Sequence, residues 1–231
     1  MKKKDLYQII EHLPKRPGIH GKEKLFNSAV LITLILINDE YHFLFEKRAQ
    51  GIRQEGEICF PGGMYESDSD DSCMKTAVRE TSEELGIDMN NINVLGRMDT
   101  IVATMGATIE PFIGTLENTT PQDILIQETE VEKVFFVPVS WFFENKPEVY
   151  HIALEMKSCI YENGEKKVLF PAKELGLPEK YHNSWGGIRQ RVLLYRYKGE
   201  IIWGLTAEMV SQFLKLSQKQ KATKHTGTHN A

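Results

Sequence analysis

The stretch from Gly62-Gly63 to Gly86 constrains the fold more than any other part of the sequence, because it predicts where one helix begins, ends and faces. The residues before it offer N-cap groups and negative charge for the positive helix end: Asp68, Asp70, Asp71 and Ser72. Gly86 supplies the C-terminal stop. At about 100° per residue, one stripe has the spacing of a buried face: Met74, Ala77, Val78, Thr81 and Leu85.

Three carboxylates fall together on the other side of this helix: Glu80, Glu83 and Glu84. Each like-charged pair at this spacing costs about 0.2–0.5 kcal/mol in an isolated helix, and Arg79 can offset only one of the charges. A solvated acidic face is the simplest interpretation. The two preceding glycines favour another one, because they let the backbone approach a ligand and add a carbonyl oxygen. Oxygen ligands of this kind favour a hard cation such as Mg²⁺.

This stretch resembles the Nudix box, Gly-x5-Glu-x7-Arg-Glu-U-x-Glu-Glu-x-Gly-U, in which U is aliphatic. The segment from Arg79 to Ile87 fits the pattern, with Thr81 at the first U position. The earlier acid of the box, eight residues before the arginine, corresponds to Asp71. Seven residues separate it from Gly63, where the general pattern has five, and a longer loop here is typical of one Nudix branch. The resemblance implies an α/β fold, a Nudix-type α/β/α sandwich with a mixed β-sheet.

The resemblance also implies roles for the residues of the box. Nudix enzymes hydrolyse a nucleoside diphosphate linked to another moiety, with Mg²⁺ or Mn²⁺. In this chain Glu80, Glu83 and Glu84 would bind the metal, joined by the backbone carbonyl of Gly63. Arg79 would orient the carboxylates through a salt bridge. These four charged residues form the predicted catalytic set.

The general base varies within the family and is not fixed by the box. Two acids from the later part of the chain, Glu110 and Glu130, are candidates for this role. The simpler interpretation of each, and the favoured one, is an ordinary exposed carboxylate in a loop or at a strand end.

A second motif lies just upstream and resembles one found in coenzyme A pyrophosphatases: Leu44-x3-Arg48-Ala49-x3-Arg53-x2-Gly56-x3-Phe60-Pro61-Gly62-Gly63. That motif usually has Ser after its first Arg and one more residue before its Gly. Ile202 to Ala207 also resembles the Trp-Gly-x-Thr-Ala opening of the last helix in that branch. The likeness implies cleavage of coenzyme A or acyl-CoA to 4′-phosphopantetheine and 3′,5′-ADP. Arg48 and Arg53 would then bind phosphate, beside Gly62 and Gly63.

Two other functions remain open. One is a Nudix pyrophosphatase for ADP-ribose or another dinucleotide. The other is a non-catalytic, nucleotide-sensing domain, which the retention of all three box glutamates disfavours.

Composition limits the partners. The net charge of −4 gives no basic field for nucleic acid, and the three cysteines lack the paired spacing of a zinc site. The longest apolar run, Ala29 to Ile37, is too short to span a bilayer, and no signal-peptide core follows the first lysines. We therefore expect a cytoplasmic protein that binds a small nucleotide, without nucleic acid or membrane partners.

The chain divides into an N-terminal arm with a short helix (1–25), a Nudix hydrolase domain (26–217) and a disordered tail (218–231). Within the domain, His151–Cys159 is predicted to pair with Lys166–Phe170 around Asn163-Gly164. A later hairpin turns at Lys198-Gly199, and a helix is predicted from Thr206 to Leu216. Residues 174–190 are interpreted as a packed loop, with a substrate lid and a homodimer contact as alternatives.

Overall fold

The computed structural model describes residues 3–66, 68 and 70–225. The helices, in chain order, are α1 (Lys3–Glu11), α2 (Cys73–Leu85), α3 (Val139–Glu144) and α4 (Gly204–His225). The strands are β1 (Phe26–Ile37), β2 (Glu40–Arg48), β3 (Ile58–Cys59), β4 (Gly62–Met64), β5 (Ile92–Arg97), β6 (Ile101–Ala103), β7 (Ala107–Leu116), β8 (Val131–Pro138), β9 (Glu148–Met156), β10 (Cys159–Glu162), β11 (Glu165–Val168), β12 (Trp185–Tyr197) and β13 (Glu200–Trp203).

The chain divides into two units. The first contains residues 1–44 and 60–131, and the second contains residues 45–59 and 132–231. Strand β2 begins in the first unit and ends in the second.

The first unit is built on β1, a run of aliphatic and β-branched residues that is buried along most of its length. Ten residue pairs join it in parallel to β7, and β2 and β4 pair with it antiparallel. Strands β5 and β6 pair antiparallel with β7. The Asn38-Asp39 turn after β1 has positive φ at both residues, as a tight two-residue hairpin requires. This parallel and antiparallel pairing, with helix α2 packed on β1 and β4, confirms the predicted α/β class and mixed sheet.

The second unit contains an antiparallel three-stranded sheet of β9, β12 and β13 and an aromatic core. Strand β3 pairs with the end of β2, and β8 also pairs with β2, all three in the same sheet as β1. Helix α4 packs on β12 and β13. Phe142 lies between Trp141 and Tyr195 with ring centroids 5.0 Å from each, in edge-to-face geometry.

The predicted partner of β9 is wrong. Asn163-Gly164 does form a turn, but it joins the short strands β10 and β11, and β9 pairs with β12 instead. Strand β12 begins at Trp185, so the end of the segment 174–190 is strand rather than loop. The partner was missed because it lies some thirty residues further along the chain, where no local pattern marks it.

Helix α4 is longer than predicted and continues through the first part of the predicted disordered tail, 218–225. That stretch contains no Gly or Pro and consists largely of good helix formers, which explains the continuation. Residues 226–231 lie outside the described part of the chain. The domain boundaries at 25 and 217 stay predictions.

Within the described residues, every helix is either too short or too polar to cross a lipid bilayer.

Candidate active site

Helix α2 has the ends that its sequence predicts. Ser72 is the N-cap, and its hydroxyl accepts a hydrogen bond from the Lys75 N–H at 3.3 Å. Gly86 ends the helix in the left-handed region, at φ 62°, and its N–H donates to the Ser82 carbonyl. The predicted buried stripe needs one correction: Met74 is 45% exposed, whereas Thr76 is fully buried. Thr76 turns inward because its hydroxyl donates to Asp70 at 2.9 Å.

The glycine pair lets α2 lie close to strand β4. A Cβ atom on Gly63 would lie 2.4 Å from the carboxyl carbon of Glu80. Gly62 has φ 151°, and a Cβ there would lie 2.3 Å from the Ala29 carbonyl oxygen on β1. Both positions therefore require glycine, Gly62 for the backbone and Gly63 for the approach of the carboxylate.

The three box glutamates do not share one solvated face. Glu84 is only 2% exposed, and its Oε2 accepts a hydrogen bond from the Gly62 N–H at 2.9 Å. Glu80 lies against Gly63, and Glu83 is half-exposed. Burial raises the pKa of Glu80, Arg79 opposes that shift, and the negative charges of Glu83 and Glu130 add to it. The structure thus places two of the three carboxylates directly against the glycine strand.

Arg79 links the acids of the site. It donates to Asp70 through Nε and Nη2, both at 3.1 Å, to Glu80 at 2.8 Å and to Glu83 at 2.9 Å. These hydrogen bonds hold the pKa of Asp70 below its usual value. The contacts are those that the predicted orienting role of Arg79 requires.

Asp70, rather than Asp71, is the acid that holds Arg79. Asp70 is buried, while the side chain of Asp71 is exposed and pairs with Lys75 on the first turn of α2. In the box alignment, the early acid corresponds by spacing to Asp71. Counting residues fails here because the loop after β4 is two residues longer than the general pattern, and its path decides which aspartate turns inward. The adjacent acids at 70 and 71 were the available signal.

We expect Asp70→Asn to lower the free energy of unfolding by about 2 kcal/mol, because Arg79 loses a charged hydrogen-bond partner. Turnover should fall by about tenfold or more through the displaced carboxylates. Asp71→Asn is the matched control and should change neither quantity. Urea unfolding and steady-state kinetics measure both effects. Because the folded pKa is lowered, the stability difference should be full well above pH 3.8, the usual pKa, and shrink as the pH falls below it.

The loop before β8 is bonded to the end of α2. The Leu125 N–H donates to the Leu85 carbonyl at 2.9 Å, and the Gln127 N–H donates to the Glu84 carbonyl at 3.0 Å. These bonds satisfy helix-end carbonyls that would otherwise lack partners. A turn from Gln127 then leads to half-buried Glu130, whose charge acts on Glu80.

The other candidate base, Glu110, has a different environment. It is buried on β7, and its two oxygens pair with Lys22 at 2.8 Å and Arg97 at 2.7 Å. A carboxylate held by two cations is suited to joining chain segments. Of the two candidates, Glu130 is the one whose charge acts on the box glutamate Glu80, whereas the charge of Glu110 acts on Cys73 at the start of α2.

Arg48 and Arg53, the predicted phosphate contacts, lie in the second unit. Arg48 Nε donates to the Arg53 carbonyl at 2.9 Å, and the backbone of Arg48 bonds to Gly56 and Glu57. This network orders the loop between β2 and β3. Their role in substrate binding stays a prediction.

The donor chemistry of the box fits a hard divalent cation. The available ligands are carboxylates of Glu80, Glu83 and Glu84 and the Gly63 carbonyl, all of them oxygen. In the arrangement described, no three His, Cys, Asp or Glu side chains among the described residues converge into an ion-binding group. Glu80 and Glu83 are drawn to Arg79 instead. Binding a metal would therefore involve a change in these ion pairs.

Comparison with known proteins adds a family match. A model of the NUDIX domain matches residues 27–156. The chain is 34% identical over 118 residues to peroxisomal coenzyme A diphosphatase ndx-8 of Caenorhabditis elegans, which covers 48% of this chain and 50% of that protein. It is 32% identical over 125 residues to peroxisomal coenzyme A diphosphatase NUDT7 of Mus musculus, covering 53% and 50%. In both cases the match spans half the length of the relative.

A longer match is to the uncharacterized Nudix hydrolase NudL of Photorhabdus laumondii. It is 27% identical and covers 89% of this chain and 90% of that protein.

Proposed function

Because the chain belongs to the Nudix family, we propose that it hydrolyses the diphosphate bond of a nucleotide, and that its preferred substrate is coenzyme A or an acyl-CoA. The products would be 3′,5′-ADP and 4′-phosphopantetheine. The observation that carries the proposal is the placement of Glu80 and Glu84 against Gly62-Gly63, with Arg79 linking Glu80 to Glu83. Such a cluster suits the binding of a diphosphate together with divalent metal.

Nudix hydrolases use divalent metals, and we propose Mg²⁺ or Mn²⁺ here, bound by Glu80, Glu83, Glu84 and the Gly63 carbonyl. When bound, the metal neutralises charge on the diphosphate and lowers the pKa of a bound water. The residues of the chain supply the rest. Arg79 positions the carboxylates, and the Gly62 N–H orients Glu84.

Glu130 is the residue that we propose to accept the proton of the attacking water. The negative charge of Glu130 helps to raise the pKa of Glu80. The loop that precedes Glu130 is hydrogen-bonded to the last carbonyls of α2. Glu110 is disfavoured because Lys22 and Arg97 hold its two oxygens.

The choice of coenzyme A rests on the motif with Arg48 and Arg53 and on the names of two relatives at 32–34% identity. A diphosphatase for ADP-ribose or a dinucleotide is the second candidate, since the box alone does not select the moiety. A cytoplasmic location stays a prediction for this chain. The two relatives, in contrast, are named as peroxisomal.

A substrate panel tests the proposal. Coenzyme A, acetyl-CoA, ADP-ribose, NADH and diadenosine polyphosphates are compared with Mg²⁺, with Mn²⁺ and with a chelator, and products are identified by chromatography. We expect metal-dependent release of 3′,5′-ADP, with the highest kcat/KM for the coenzyme A compounds. Faster cleavage of ADP-ribose or a dinucleotide than of the coenzyme A compounds would support the second candidate function instead. Binding without turnover of any compound would favour the nucleotide sensor.

A further inference from the structure

Strands β9 and β12 form a two-stranded ribbon, residues 150–156 with 185–192, that is exposed on both faces. Seven of the nine residues of β9 are exposed. One face is apolar, with Tyr150, Ile152 and Met156 from β9 and Ile188 from β12 each half-exposed or more. A two-stranded ribbon without a core on either face is only marginally stable in water. The ribbon therefore needs a covering partner more than the buried sheet around β1 does.

The outer edge of β9 offers a place for such a partner. Within the part of the chain that the structure describes, β12 is the only strand paired with β9. The sequence of β9 contains no Pro, Lys or Arg, which are residues that commonly protect an exposed edge. Its nine residues form a long and largely apolar edge that can pair with another strand.

We propose that this edge pairs antiparallel with β9 of a second copy of the chain, around a twofold axis at Ala153. That register places Ile152 opposite Leu154 and Tyr150 opposite Met156, so the apolar residues of the two copies meet on one face. On the other face it places His151 opposite Glu155, twice in each dimer. Apolar groups thus meet apolar groups, and the imidazole of each His151 faces a carboxylate that can accept its hydrogen bond.

Neighbouring registers lose this agreement. Centring the axis on Ile152 places His151 opposite Ala153, and centring it on Leu154 places His151 opposite Lys157, so both lose the His151–Glu155 pair. The proposed register does place Val149 opposite Lys157, but Lys157 lies beyond the end of β9. The symmetric pair also closes, because β12 occupies the remaining edge of each β9, so assembly stops at two copies.

Charge reversal tests the register. We expect the wild type to sediment with twice the chain mass. His151→Glu should weaken the dimer by about tenfold or more, since it places two pairs of carboxylates across the axis. Glu155→Lys should also weaken the dimer, since it removes both carboxylates that face the imidazoles. The double variant, His151→Glu with Glu155→Lys, should regain the dimer because the two introduced side chains carry opposite charges. Glu165→Lys on exposed β11 makes the same charge change outside the ribbon and should leave the mass unchanged.

Cross-linking provides a second measurement. Ala153→Cys places two thiols on the axis, at a strand separation that a disulfide can span. We expect oxidation to give a covalent dimer of this variant and none of the wild type, which carries only its three natural cysteines. A wild-type monomer, a dimer that both single charge variants leave intact, or open-ended aggregation would each overturn the proposal. Cooperative thermal unfolding of the single variants, at a midpoint close to that of the wild type at a dilution where its dimer dissociates, would show that loss of the dimer is not a loss of the fold.

Discussion

Glu84→Gln is expected to slow hydrolysis by about a hundred- to a thousandfold with little change in stability. Glutamine has the size of glutamate, and its carbonyl oxygen can still accept the hydrogen bond from the Gly62 N–H. What it lacks is the negative charge that would hold a divalent cation, and that cation would neutralise the reacting diphosphate. The loss should therefore appear in kcat/KM, measured at several concentrations of Mg²⁺, while the unfolding midpoint stays close to that of the wild type.

The same assay separates the two candidate bases. Glu130→Gln should lower kcat, because the residue lies in the electrostatic neighbourhood of Glu80. Glu110→Gln should mainly lower the free energy of unfolding, because it breaks the pairs with Lys22 and Arg97. Undiminished activity of Glu84→Gln would refute the metal-site assignment.

Gly62→Ala is expected to cost about 3 kcal/mol or more of stability, and activity with it. The φ angle of 151° is unfavourable for any residue with a Cβ, and that Cβ would lie 2.3 Å from the Ala29 carbonyl oxygen. Because the clash is with backbone, it can be relieved only by moving β4 away from β1. Such a shift also removes the Gly62 N–H from Glu84.

Gly96→Ala is the matched control for this variant. Gly96 lies on β5, and a Cβ there would meet no atom within 4 Å. We expect no loss and a gain of up to about 1 kcal/mol, because alanine restricts the unfolded chain. Urea unfolding of both variants measures the difference. Equal stability of the two would mean that β4 does not lie against β1 as described.

The sequence predicts the box helix well because its ends are local. Ser72 and Gly86 each satisfy backbone groups within a few residues, so the boundaries need no knowledge of the rest of the fold. The burial of Glu84 could not be predicted in this way. It depends on β4 lying over that side of the helix, and helical periodicity alone places Glu84 with the exposed acids.

Contacts between segments that are distant in the sequence were predicted less well, because no local pattern marks them. The turn at Lys198-Gly199 is local, and the hairpin predicted around it is confirmed. The pairing of β9 with β12 joins distant segments, and nothing in the sequence of β9 identifies its partner. Asp70 was missed as the partner of Arg79 because the path of the loop after β4 decides which aspartate turns inward. No periodic pattern in the sequence reports that path.

The bonds from Leu125 and Gln127 to the end of α2 have a consequence for protein engineering. The residues from Gly62 to Gly86 are not a self-contained unit, because the last carbonyls of α2 accept hydrogen bonds from the segment at 125–127. Gly86 also leaves no room for a side chain beside the Leu125 carbonyl. A scaffold that receives the helix and its glycine strand without residues 125–130 would receive a frayed helix end and no Glu130. The transplantable unit is therefore two separate segments of the chain, and their spacing has to be copied along with their residues.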